Sequence, residues 1–147
     1  MRNKSEITNW ILLIMWMVFI YMMSNQPATV SDAQSGGVIL FLSKIGIDMN
    51  SIFGDIANFI IRKSAHFLEY MILALLVLNL LNKNLNTKHS YAITIVFVFL
   101  YACSDEIHQL FVPGREGAIR DVIIDTCGGI TLILIKTIIS KLNILNK

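Results

Sequence analysis

Four stretches of this chain are apolar for long enough to cross a bilayer, and no other feature restricts its fold as strongly. Hydrocarbon offers no water to backbone N–H and C=O groups, so each spanning segment must satisfy them internally, which an α-helix does. The runs cover about 7–23, 64–81, 91–111 and 121–142. The expectation is an all-α, polytopic membrane protein: one domain over residues 1–147, four transmembrane helices, and an interfacial helical segment over about 31–61. The mean hydropathy of +0.65 agrees, as does a charged fraction of 15%, against the ~25% usual for soluble chains. A net charge of +2, without a basic patch interleaved with aromatics, excludes nucleic acid as a partner. Cys103 and Cys127 show no C-x-x-C or His-rich spacing and are expected as buried free thiols.

The first run is followed by "MMSNQPATV", which lacks the small-residue cleavage pattern of a secretory signal, so it reads as a retained anchor. Orientation follows from Lys and Arg near the span ends. With the N-terminus inside, Arg2, Lys4, Lys83, Lys88, Lys136, Lys141 and Lys147 lie on the inner side. Lys44, Arg62, Lys63, Arg115 and Arg120 lie on the outer side, a count of seven against five. The predicted location is the bacterial cell membrane, with both termini cytoplasmic. Nine of the ten acids then fall on the outer side, so polar chemistry gathers there.

Between the first two spans, Ser31 with Gln34 fits a capping box at a helix start. "VILFLSKIGI" and "SIFGDIANFII" are apolar and are separated by Gly46 and "DMNS". This pattern predicts two short helices lying at the interface, or a lid over a site beneath.

The second span opens with "RKSAHFLEYM". At ~100° per residue, Arg62, Lys63, His66, Glu69 and Tyr70 share one face about 120° wide. In the third span Asp105, Glu106 and Gln109 cluster at the far end, and the fourth opens with Asp121 and Asp125 one turn apart, with Gly128 on the same stripe. An acid at mid-membrane costs roughly 2.5–3.5 kcal/mol, less toward the interface, so these carboxylates need partners. A short turn through "VPGREG" makes the last two spans antiparallel and sets their acids at one depth. Arg115 sits at the tip of that turn, and the start of the second span reaches the same layer.

The ordered motifs "KSAHFLEY", "DEIHQLFVPGR" and "RDVIIDTCGG", preceded by "SNQPATVSD", resemble the VanZ-like family of small membrane proteins over essentially the whole chain. The resemblance carries Lys63, His66, Tyr70, Glu106, Gln109, Arg115, Asp121 and Gly128 over as motif residues. Asp125 stands where many members have Asn. The resemblance implies an association with resistance to the glycopeptide teicoplanin, as for the founding member.

Two chemistries fit these residue types. In an enzyme acting on a lipid-linked or cell-wall substrate, Arg115 and Lys63 hold a phosphate, and Tyr70, Asp105 and Gln109 complete the substrate site. His66 serves as acid or base. Asp121, Asp125 and Glu106 orient that imidazole or, with it, bind a divalent cation. In a non-catalytic binder, the same cations hold a lipid head group or cell-wall precursor, and Tyr70 and Tyr101 act as platforms. Membrane lipid and a phosphate-bearing lipid-linked precursor are the partners this predicts. A transporter fits less well, because four spans show no inverted repeat with broken helices.

Overall fold

The computed structural model describes residues 4–81 and 86–145. Arg2, Lys83 and Lys147, three of the cations used for orientation, lie outside the described residues. Every regular element among the described residues is helical: α1 (Lys4–Ser24), α2 (Ala28–Lys44), α3 (Met49–Phe53), a 3₁₀ turn (Gly54–Ile56), α4 (Ala57–Leu81), α5 (Thr87–Gln109) and α6 (Ile119–Leu145). Four stretches, Lys4–Ser24, Met49–Leu81, Thr87–Gln109 and Ile119–Asn143, are long and apolar enough to cross a membrane. Those helices are compatible with a multi-pass membrane protein.

Local chemistry explains the boundaries. No Pro or Gly interrupts α1, and Pro27 then stands at the N-cap of α2 with φ −53°. That proline starts α2 at Ala28, three residues before the expected capping box. Ser31 is therefore inside the helix, where its carbonyl accepts from the Ser35 hydroxyl at 3.0 Å. Gly46 closes α2 at φ +91°, as Ile47 N donates to Leu42 O and Gly46 N to Ser43 O. Asp48 then caps α3, accepting from Asn50 N and Ser51 N at 3.1 Å each. Helix α4 begins at Ala57 rather than residue 64, because the Arg62–Lys63 pair lowers the hydropathy without breaking the helix.

Helix α4 is the centre of the bundle and packs against α1, α2, α5 and α6. The core joins Leu13 and Ile20 of α1 to Leu73 and Val77 of α4, Val98 and Ala102 of α5, and Leu132 of α6. Outward faces are also apolar, with Met15, Leu40, Val96 and Leu134 well exposed, as lipid contact requires. This inverts one expectation. Cys127 is exposed and Cys103 half-buried, because in such a chain an apolar neighbourhood includes the outer surface.

Helices α4 and α6 approach each other closely at Gly128. A Cβ on Gly128 would run into the Phe67 carbonyl oxygen, so the absent side chain lets the two backbones meet. That contact sets the depth at which the polar residues of α6 face those of α4.

Candidate functional site

The C-terminal ends of α1 and α5 and the N-terminal parts of α4 and α6 meet at one end of the bundle, and there the polar side chains gather. Lys63 Nζ pairs with Asp121 Oδ2 at 2.6 Å, both largely buried, tying α4 to α6. One turn further along α4, His66 Nδ1 lies 3.9 Å from Glu69 Oε2 and 4.0 Å from Asp125 Oδ1. Asp125 is 1% exposed, and among the described residues neither of its carboxylate oxygens has a hydrogen-bond partner.

The turn after α5 is fastened to the start of α2. Gly114 adopts φ +73°, Ala28 N donates to Pro113 O at 3.2 Å, and Arg115 Nε donates to Gln26 O at 3.1 Å. These contacts aim the Arg115 guanidinium back over the bundle. Among the described residues, the Nε donation is its sole hydrogen bond, leaving the terminal amino groups of the fork uncommitted. Burial, and after it the neighbouring Arg62 guanidinium, pushes the Arg115 pKa below its ordinary value. The carboxylates of Asp105, Asp32 and Glu106 act in the opposite direction on Arg115.

Two clefts open beside this pair. One, of about 160 Å³, lies between α2 and α4 and is bordered by Gln34, Arg62, His66, Glu69 and Arg115. The other, of about 180 Å³, is more polar and is bordered by Arg62, Lys63, Arg115, Arg120 and Asp121. Arg62 and Arg115 border both. Helix α2 forms one wall of the first cleft and is latched to α4 by Arg62 Nη1–Asp32 Oδ1 at 2.9 Å.

The residues expected at the site thus divide. Lys63, His66, Asp121, Asp125 and Arg115 reach the layer at or beside the clefts. Glu106 is turned into local structure, its Oε2 accepting from Ala118 N at 2.8 Å ahead of α6. Gln109 Nε2 donates to Ser24 Oγ at 3.1 Å and to Asp105 Oδ2 at 3.4 Å, which ties α5 to α1. Tyr70 is wholly buried against Tyr101, with ring centroids 6.2 Å apart, and borders neither cleft. Tyr101 donates its hydroxyl to Met17 O at 2.7 Å, so the pair packs the bundle and offers no open platform.

The expected grouping of His66 with Asp121, Asp125 and Glu106 also changes. Asp125 comes beside the imidazole, while Lys63 engages Asp121 and the Ala118 amide engages Glu106. Asp105 enters in their place: ligand atoms of His66, Asp105 and Asp125 all lie within 4.8 Å of one another. Sequence reasoning did not single out Ser24, Gln26 or Asp32. All three lie within "SNQPATVSD", and the signal for Ser24 and Gln26 was the polar run "SNQ" directly after an apolar span, where the chain turns and its backbone carbonyls become available.

Comparison with known proteins gives one match. The VanZ/LLP1 family profile matches residues 9–140. No curated protein matches, and no solved structure does.

Proposed function

Because the chain belongs to the VanZ/LLP1 family, we propose that this membrane protein binds and acts on a phosphate-bearing, lipid-linked cell-envelope precursor at the outer membrane face. The observation that carries this reading is the Arg62–Arg115 pair, which borders both clefts while the terminal donors of Arg115 stay free. A guanidinium fork matches two phosphate oxygens at once. The acyl or prenyl tail of such a ligand would lie along the exposed apolar faces of the helices, and its head group would enter between α2 and α4. His66 borders that cleft and is the acid–base group for the bound phosphate. Changing the access of a glycopeptide such as teicoplanin to its precursor would link this activity to resistance.

A second reading, non-catalytic retention of the precursor, draws on a different observation. Lys63, Asp121 and Glu106 already have internal partners, so fewer groups remain for chemistry than the sequence offers.

The two readings separate in purified protein reconstituted in nanodiscs with a polyprenyl phosphate, with binding and product formation measured side by side. Arg115→Ala is expected to weaken binding at least tenfold on either reading. His66→Gln is expected to hold affinity within a few-fold and to lower turnover ~10²-fold or more, the scale of losing a general acid or base. Unchanged affinity in Arg115→Ala overturns the anion site. If the wild type binds the lipid and His66→Gln changes affinity and glycopeptide resistance together with no turnover in either protein, the retention reading stands instead.

A further inference from the structure

We propose that His66, Asp105 and Asp125 form a binding site for one divalent cation of the Zn²⁺ or Mn²⁺ type, reached from the cleft between α2 and α4 through His66, which borders it. Three helices supply one ligand each, with all the ligand atoms within 4.8 Å of one another. A metal about 2.0–2.2 Å from its ligands holds them roughly 3–4 Å apart, so a small contraction brings these atoms to bonding positions. The donor set, one imidazole and two carboxylates, is of mixed hardness. It suits Zn²⁺ or Mn²⁺ better than Mg²⁺ or Ca²⁺, which favour oxygen alone.

A separate observation calls for a cation there. Asp125 is 1% exposed, and among the described residues neither of its oxygens has a hydrogen-bond partner and no Lys or Arg pairs with it; the His66 imidazole lies 4.0 Å away. A carboxylate held as an anion that deep needs a positive partner. Lys63 is committed to Asp121 at 2.6 Å, and Arg115 donates to Gln26 O without forming an ion pair with Asp125 among the described residues. The Tyr70 hydroxyl, also buried and without a hydrogen-bond partner among the described residues, lies in electrostatic reach of Asp105 and Asp125.

Support around the ligands is already present. Asp105 Oδ2 accepts from Gln109 Nε2, which holds the carboxylate as the outer partners of metal ligands do. His66 and Glu69 line the cleft, which gives an ion a route in. Two carboxylates and a neutral imidazole balance a charge of +2. The functional sense of the site rests on the anion site proposed above and not on His66 as the acid–base group, a role that ligation of its ring nitrogen would exclude, since a cation beside the cleft would face the anionic head group held by Arg62 and Arg115. Cation binding itself is tested without that head group.

The test uses the full chain in nanodiscs of neutral lipid, stripped with a chelator and dialysed, then titrated with Zn²⁺, Mn²⁺ or Mg²⁺ alone. The expected result for the wild type is close to one equivalent of Zn²⁺ or Mn²⁺ per chain, with a rise in unfolding temperature, and weaker binding of Mg²⁺. Asp125→Asn, Asp105→Asn and His66→Gln should each lower the affinity at least tenfold and reduce the metal-induced rise. Because Asp125→Asn relieves a buried charge and can raise the apo stability, the readout is the increment caused by metal. Helical circular dichroism verifies that each variant is folded. Arg115→Ala should keep full metal binding. Absence of stoichiometric binding to the wild type, or equal binding to the three ligand variants, overturns the site. Metal binding that fails while polyprenyl phosphate binding persists removes this inference and leaves the anion site standing; the converse removes the anion site alone.

Discussion

At the scale of single residues, the glycines of α6 show how one missing atom sets a register. Replacing Gly by Ala in a helix ordinarily gains up to about 1 kcal/mol from propensity. At Gly128 the added carbon meets the backbone of α4 at Phe67, and backbone cannot swing aside. At Gly129 it meets the Val98 side chain at 3.0 Å, which can yield by a few tenths of an ångström. Gly128→Ala is therefore expected to destabilise by about 1–3 kcal/mol, the usual cost of overpacking, while Gly129→Ala stays within about 1 kcal/mol of the parent. Thermal unfolding of both variants in one detergent measures the difference, and equal melting temperatures would remove the claim that α4 and α6 are in backbone contact. The stripe of Asp121, Asp125 and Gly128 was legible from helical spacing, since it needs only the phase of one helix. Which base meets which acid was not, because that depends on the rotation of two helices about their axes. A rotation of one residue position exchanges Asp121 for a neighbour, so Lys63 meeting Asp121 and His66 meeting Asp125 emerge only from packing.

At the scale of elements, Glu106 illustrates a carboxylate whose partner is a turn. Its bond to Ala118 N satisfies a backbone donor just ahead of α6, as an N-cap side chain would, though it comes from α5. Glu106→Ala is expected to lower stability by about 1–2 kcal/mol, whereas Glu106→Gln keeps an acceptor and should lose less than half of that. Binding and turnover at the cleft should survive in Glu106→Gln; a loss of turnover like that of His66→Gln, at unchanged stability, would return Glu106 to the reactive group. The element boundaries divide in the same way between what is local and what is not. Four apolar runs predicted the four long helices because hydrophobic length is a property of the run itself. The early start of α4 was hidden by Arg62 and Lys63, whose charges lower the hydropathy but whose long aliphatic stems suit a helix, with Lys63 Nζ 5.5 Å from the Phe59 ring centre. The start of α2 was misplaced because Ser31 and Gln34 mimic a cap, while Pro27, with its φ already fixed, begins the helix first. The sequence offered a lid over a site as one reading of this segment, but not which residues would fasten α2 against α4. Its latch, Arg62 to Asp32, joins residues thirty positions apart and is partly exposed at both ends.

At the scale of the whole molecule, the question is which side of the membrane the polar end faces. The Lys and Arg distribution favours the outer side by seven against five, and acids add little to that rule. The fold sharpens the question, since α4, α5 and α6 carry their acids, with Lys63 and His66, to one end and leave the Asn86 end of α5 at the other. Labelling of single cysteines by an impermeant maleimide in intact cells decides it. Glu116 is exposed in the turn before α6 and Lys88 is exposed near the start of α5, so a cysteine at either should leave packing unchanged. Gly117 is unsuitable, because a Cβ there would come within 2.5 Å of the Glu106 carbonyl oxygen. Cys103 and Cys127 are first replaced by Ser, the latter in particular because it is exposed. The expected outcome is labelling of Glu116→Cys in intact cells and of Lys88→Cys only after permeabilisation. The reverse pattern would invert the protein, put Arg62 and Arg115 at the cytoplasmic leaflet, and rule out an outer-leaflet precursor as ligand. The proposed phosphate site would itself be unaffected, because Arg62 and Arg115 are placed by contacts internal to the bundle, but the lipid reaching it would then come from the opposite leaflet.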